Sequence, residues 1–193
     1  MSALGQALQS THFVISVIGD HASEDSQTIF ERKIDDIKRT GSTYWLVRSP
    51  KARPPQVQAL CQGTTAYVLF VSPASVGGAR PTTTADVVSE ISQDRSSWES
   101  LPAGKGPVTG KLDAVAAALV FDELECADQC TAIDLREFAE FPRSDRPLRF
   151  TLGSSTVCAM RRDMSNHPER MKSHSRVLVA WARLARPYCV WVR

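Results

Sequence analysis

No apolar run in this chain reaches the roughly 18–20 residues that a bilayer-crossing helix requires. The nearest approach, Ala114 to Phe121, has the length of a strand. The opening residues, Met1 to Gln6, lack a charged segment followed by an apolar stretch, so no secretory leader is read. An intracellular location, cytoplasmic or nuclear and without a membrane partner, is the expectation. Cysteine is sparse and odd in number: Cys61, Cys126, Cys130, Cys158 and Cys189 fall at irregular spacings. That argues against a disulfide framework and for free thiols, some of them in the core. Cys126 and Cys130 have a spacing that suits two ligands of a zinc ion, but no second Cys or His pair follows at a finger-like distance, and His167 and His174 lie far along the chain. Neither a metal nor a cofactor is expected.

Catalytic signatures are also missing. No Gly-x-Ser-x-Gly elbow occurs, and Gly153-Ser154-Ser155-Thr156 reads as a hydroxyl-rich turn. Gly104 to Lys111 has the glycines and lysines of a phosphate loop, but five residues separate Gly104 from Gly110, and Leu112 stands where the metal-binding hydroxyl belongs. An NTPase is therefore not expected. Cys158 with His167 or His174 would make a nucleophile pair only if the fold brought them together. The acids Asp122, Glu123, Glu125 and Asp128 read as a solvated surface following a strand.

What the chain does have is a division of charge. Residues 143–193 carry eleven Arg and Lys against three acids, whereas residues 1–142 carry twelve against eighteen. The net charge of +2 hides this asymmetry, which points to polyanion contact. Arg149, Arg161, Arg162, Arg170, Lys172 and Arg176 are the candidate phosphate-binding residues. Two long loops add a second signal. Residues 72–84 contain Gly77, Gly78, Arg80 and the threonines Thr82 to Thr84; residues 92–112 contain Lys105 and Lys111 among glycines. Glycine lets backbone N–H groups approach a phosphate, and Arg80, Thr82 and Lys105 would supply charge and donors. Aromatic residues make up only 7% of the chain, so their positions matter. Trp98 lies in the second loop, between serine and glutamate, and is the first candidate for stacking on a base within a concave site shared with residues 75–84.

Patterning predicts a mixed α/β (α+β) chain of one domain, 1–193, with a basic portion at 143–193, and a mixed, partly barrel-like sheet flanked by short helices. Strands are expected at His12–Gly19, Thr43–Arg48, Tyr67–Val71, Ala114–Phe121, Leu148–Leu152, Thr156–Met160 and Tyr188–Val192. Ser26–Arg39 is predicted helical from Ile29, Phe30, Lys33, Ile34 and Ile37, with Gly41 as a stop, and Pro54 and Pro55 open a short helix. Asp86–Ile91 fits a strand or a short helix, Ile133–Phe141 reads as a short helix with Leu135 and Phe138 inward, and Val177–Leu184 fits either class.

Tyr44-Trp45-Leu46-Val47-Arg48-Ser49-Pro50 resembles the opening strand of EVE-type domains of the PUA-like group, which typically begins Tyr-Trp-Leu-x-Lys-Ser-Glu-Pro. Val68 to Val71 and Ala85 to Asp94 are similar to the segments that follow, giving about fifty residues of likeness. Arg48 stands where Lys is usual, and no Glu precedes Pro50. The resemblance implies a mixed α/β module that binds RNA or DNA and reads a modified or flipped base in an aromatic pocket, with Trp45, Arg48 and Ser49 lining it. A non-enzymatic nucleic-acid-binding module is therefore the leading expectation. The alternatives are a small enzyme acting on a phosphorylated or anionic molecule through Arg80, Lys105 or Lys111, and an interaction module whose basic part docks an acidic partner, including the acidic part of a second copy in a homodimer.

Overall fold

The first helix, α1, spans Ser26–Thr40, and both its ends are fixed by local chemistry. The Asp25 carboxylate accepts the Thr28 N–H at 2.7 Å, satisfying an otherwise orphaned donor. Gly41, at φ 78°, adopts the left-handed conformation that closes the other end and donates its N–H to the Ile37 carbonyl. Lys38 and Arg39 in the last turn complement the helix dipole. Ile29 and Phe30 are buried and Ile34 and Ile37 pack beside them, giving the apolar stripe that the sequence spacing predicts. Lys33 and Asp36 are buried too; Asp36 faces Lys33 at 3.8 Å and accepts from Arg39 at 2.7 Å and from Thr43 at 3.2 Å. Helix α2, Pro54–Leu60, opens on its two prolines and turns Val57 and Leu60 inward.

This computed structural model describes residues 7, 9–18, 25–47, 49–72, 85–86, 90–101, 108–109, 116–127, 131–142, 148, 155–160 and 175–193. Twelve strands fall within them. They are β1 (His12–Val17), β2 (Thr43–Val47), β3 (Tyr67–Val71), β4 (Ala85–Asp86), β5 (Glu90–Ser92), β6 (Glu99–Ser100), β7 (Val108–Thr109), β8 (Ala117–Cys126), β9 (Ala132–Asp134), β10 (Phe138–Glu140), β11 (Ser155–Met160) and β12 (Ser175–Val192). Ten belong to one sheet, and β4 and β7 form a separate pair. Only β1 and β3 are parallel, joined through α1, β2 and α2; the other pairings are antiparallel. The mixed α+β expectation holds at this level. The sheet does not close into a barrel, and its barrel-like description is corrected to a large open sheet. Among the described residues, no helix is long and apolar enough to cross a membrane.

Strand β12 is the spine. Its 18 residues pair with β3 over 178–183 and then, on the same side, with β5 at Trp191 and Val192. On its other side it pairs with β9 and then β8. Both faces of the sheet are covered, so the strands read as continuous apolar runs rather than alternating ones. Val14, Val68, Phe70, Leu119 and Phe121 face α1 and α2. Phe13, Ile15, Leu69, Leu178 and Trp181 face the opposite way, against Leu135, Phe138 and Leu148.

Three expectations need correction. Ile133–Phe141 is not a helix: β9, a single 3-10 turn at Leu135–Glu137 and β10 occupy it. The three-residue spacing of Leu135 and Phe138 is satisfied by that one turn, and the flanking residues pair with β12 and β11 instead. Val177–Leu184 and Tyr188–Val192 are one strand. The acids Asp122, Glu123 and Glu125 lie within β8, not after it, and Arg183 of β12 bridges Asp122 at 3.0 Å and Glu123 at 3.1 Å. Asp128 lies outside the described residues. Of the strand expected at 148–152, only buried Leu148 lies within them.

Phe70 is fully buried and meets Trp45, Phe30 and Phe121 at centroid distances of 4.6, 5.1 and 6.2 Å. Phe70→Ala is predicted to lower unfolding stability by about 3–5 kcal/mol, through lost transfer energy and the cavity left behind. Urea denaturation checks this. A loss below about 1 kcal/mol would show that the ring is not central to the core.

Candidate nucleic-acid interface

The ladder between β12 and β8 breaks at one place. Leu184 lies opposite Phe121 and Cys189 opposite Leu119, so four residues of β12 face a single residue of β8. Pro187 is among the four and has no N–H to donate. Tyr188 takes a positive φ of 66°, the kind of backbone found at bulges. The surplus chain is displaced from the sheet and presents Arg186 to solvent and Tyr188 partly so. The Arg186 guanidinium lies 6.0 Å from the centre of the Tyr188 ring.

The β5–β6 hairpin reaches the same region. Its tip is held by short-range hydrogen bonds: the Ser92 hydroxyl accepts the Arg95 N–H at 2.8 Å, and Asp94 accepts the Ser96 hydroxyl at 2.7 Å and the Ser96 N–H at 2.8 Å. Those two bonds, the hydroxyl first, hold the Asp94 carboxyl below its ordinary range. Arg95 adopts φ 71°, and its guanidinium lies 3.9 Å from the centre of the Trp191 ring. Arg53, the residue before α2, brings a second guanidinium to the same indole at 5.6 Å. Arg193 lies 4.2 Å from the centre of Trp98 and pairs with Glu90 at 2.6 Å.

Four arginines and three aromatic rings therefore share one end of β12. Between α2, the hairpin tip and the β12 bulge lies an open depression of about 450 Å³, lined by Gln58, Gln93, Arg186, Pro187 and Tyr188. Among the described residues, Arg95 and Arg186 have no carboxylate partner. Arg183 and Arg193 do. The distinction is chemical: a guanidinium on a ring keeps its donors available, whereas one in an ion pair has them occupied.

The residues singled out from the sequence fall into three groups. Arg48, Arg80, Thr82, Lys105, Arg149, Arg161, Arg162, Arg170 and Lys172 lie outside the described residues, as does the 75–84 loop expected beside Trp98. Trp45 stacks on Phe30 at 5.8 Å and packs against the core, and buried Ser49 accepts the Lys51 N–H at 3.2 Å, so packing and turn chemistry account for both. Arg176 lies near the start of β12, at the other end of the strand from the bulge. Trp98 is partly exposed and belongs to no core cluster; it stands beneath Arg193 at the edge of the arginine-rich face. Sequence reasoning missed Arg53, Gln58, Gln93, Arg95, Arg186 and Tyr188. A signal existed: Arg-Pro-Tyr interrupts the apolar run from Val177 to Val192.

Thiol chemistry finds no support at the described cysteines. Burial pushes the Cys61 and Cys189 thiols up to about 12 and raises that of fully buried Cys158 as well, so none is a thiolate near neutrality. His167 and His174 lie outside the described residues. Cys126 is exposed, yet desolvation and then the charge of Glu31 raise its thiol too. At pH 8, mass spectrometry after labelling of the native protein with a thiol reagent is predicted to find Cys126 modified and Cys61, Cys158 and Cys189 untouched until the chain is unfolded. The unfolded chain loses these protons near pH 8.5, whereas the folded one holds those of Cys61 and Cys189 to about 12. Their contribution to stability is thus complete below about pH 8.5 and declines as pH rises through that window. Native labelling of Cys61 at pH 8 would contradict the burial.

Comparison with known proteins finds no matching family model, no matching curated protein and no matching solved structure.

Proposed function

We propose that this chain binds nucleic acid through the face where α2, the β5–β6 hairpin and the β12 bulge converge. One observation carries the reading: Arg95 and Arg186 are exposed, lie 3.9 Å and 6.0 Å from the ring centres of Trp191 and Tyr188, and have no carboxylate partner among the described residues. Cations so placed attract a phosphate backbone without first having to break an ion pair, and the close contact with Trp191 holds Arg95 in position. Glu90 is paired with Arg193, and the Asp94 carboxylate, ionised, is hydrogen-bonded to Ser96 in the hairpin tip instead of pairing with either guanidinium. The EVE-like and PUA-like affinity proposed from Tyr44–Pro50 points to the same ligand class. The basic portion 143–193 supplies Arg186 to this face.

The test is a titration of labelled RNA and DNA oligonucleotides at rising salt. Affinity is expected to fall with a log–log slope of about −0.7 per phosphate contact on single strands and about −0.9 on duplex DNA. Arg95→Asn together with Arg186→Gln should remove roughly two contacts and flatten the slope by about 1.4–1.8. Asn is chosen at 95 because it tolerates a positive φ. Absence of binding at low salt, or an unchanged slope in the double variant, would overturn the proposal. Equal binding of polyglutamate would favour an acidic protein as the partner instead.

A further inference from the structure

We infer that this face takes unpaired nucleotides rather than a duplex, with one base seated in the depression against Tyr188. The inference rests on the nucleic-acid reading above and narrows it. Reading a duplex by its major groove requires an element that projects, a helix or a two-stranded ribbon. Among the described residues, neither is available at this face. Helix α2 has only seven residues, and Val57 and Leu60 hold it to the sheet. At the tip of the β5–β6 hairpin the Arg95 side chain lies back over Trp191, 3.9 Å from the ring centre, and does not extend toward a groove. What the face offers is flat and recessed: three aromatic rings, guanidinium planes lying over them, and a depression of about 450 Å³. That volume is within the range of small-ligand sites, about 300–1,000 Å³. Unpaired bases stack on aromatic rings and on arginine planes, which paired bases inside a duplex cannot do.

The lining assigns the parts. Tyr188, outside the ladder at the bulge, packs one part of its ring against the core and offers the exposed part to the depression as the stacking surface. Gln58 from α2 and Gln93 from the hairpin each carry an amide with both donors and an acceptor, which suits the edge of a base. Arg186, exposed at the rim, is placed for the phosphate of the same nucleotide, and Arg95 for a neighbouring one. Stacking and phosphate contact thus fall on different residues, and the two can be separated by experiment.

The full-length protein is titrated with a mixed-sequence oligonucleotide as a single strand and as a blunt duplex, in RNA and in DNA, at one fixed salt concentration. Single strands are expected to bind at least about tenfold more tightly. Tyr188→Leu, which keeps a bulky side chain on the same backbone, should weaken single-strand binding by roughly 5- to 150-fold, the range for losing one stacked base. It should leave the salt slope unchanged, whereas the arginine variants alter the slope. Gln58→Ala is the second variant: it lies on the half-exposed side of α2, and it should change the ranking among homopolymers of the four bases. Should Tyr188→Leu fail to fold by circular dichroism, the strand comparison and Gln58→Ala decide the matter, and an unchanged ranking of the homopolymers in a folded Gln58→Ala overturns the seated base. Equal or tighter duplex binding, or a folded Tyr188→Leu with wild-type affinity, overturns this inference and leaves nucleic-acid binding standing. No binding to any oligonucleotide overturns the function itself.

Discussion

The pairing of β12 on both of its edges is the constraint on which the rest of the structure depends. An 18-residue strand carries far more backbone donors and acceptors than a typical strand of five or six residues, and buried ones must find partners. They find them in β3 and β5 on one side and in β9 and β8 on the other. Because β3 is shorter than β12, the C-terminal end of β12 would be left with an open edge. The β5–β6 hairpin fills that gap, which is why a segment with little apolar patterning of its own is ordered against Trp191 and Val192.

The same constraint explains where function can reside. A continuous ladder leaves no freedom to present side chains other than alternately up and down. Pro187 cannot continue that ladder, and the residues beside it escape the alternation. Arg186 is thereby released to the surface, and Tyr188 is left partly exposed while its ring still packs against the core. Buried Cys189 and Val190 resume the packing at once, so the bulge is clamped by core residues beyond it. A short rigid interruption between two well-packed stretches holds a side chain in place better than a long loop would.

Much of this architecture is legible in the sequence, and the exceptions have physical causes. Tyr67–Val71 and Ser26–Thr40 follow from apolar period and from the stop at Gly41, because their neighbours in sequence are also their determinants. Ile133–Phe141 misleads because a three-residue spacing is shared by a single 3-10 turn and a longer helix, and only distant partners choose between them. The candidate site was less legible still. Arg53, Gln58, Arg95 and Tyr188 come from three separate stretches, and only sheet register and the packing of α2 on the sheet bring them together. Trp98 was reached from the sequence because a tryptophan among polar residues lacks a packing rationale; the arginine above it, at the far end of the chain, had no local signal.

The division of charge along the chain takes on a different meaning once its arginines are sorted by partner. Arg183, in the basic portion, is matched to Asp122 and Glu123 on the neighbouring strand, so part of the asymmetry cancels within the fold. Arg193 is matched to Glu90 in the same way. Such partly exposed pairs contribute little stability, about 0–1 kcal/mol, yet they occupy the donors that a phosphate would need. Arg186 escapes this fate because the bulge lifts it away from the acids of β8, and Arg95 because the hairpin tip directs its acid, Asp94, toward Ser96. Net charge therefore overstates the surface available to a polyanion. What remains available is decided by two local departures from regular strand geometry, the positive φ of Arg95 and that of Tyr188, which place a cation and a ring side by side at one end of the central strand.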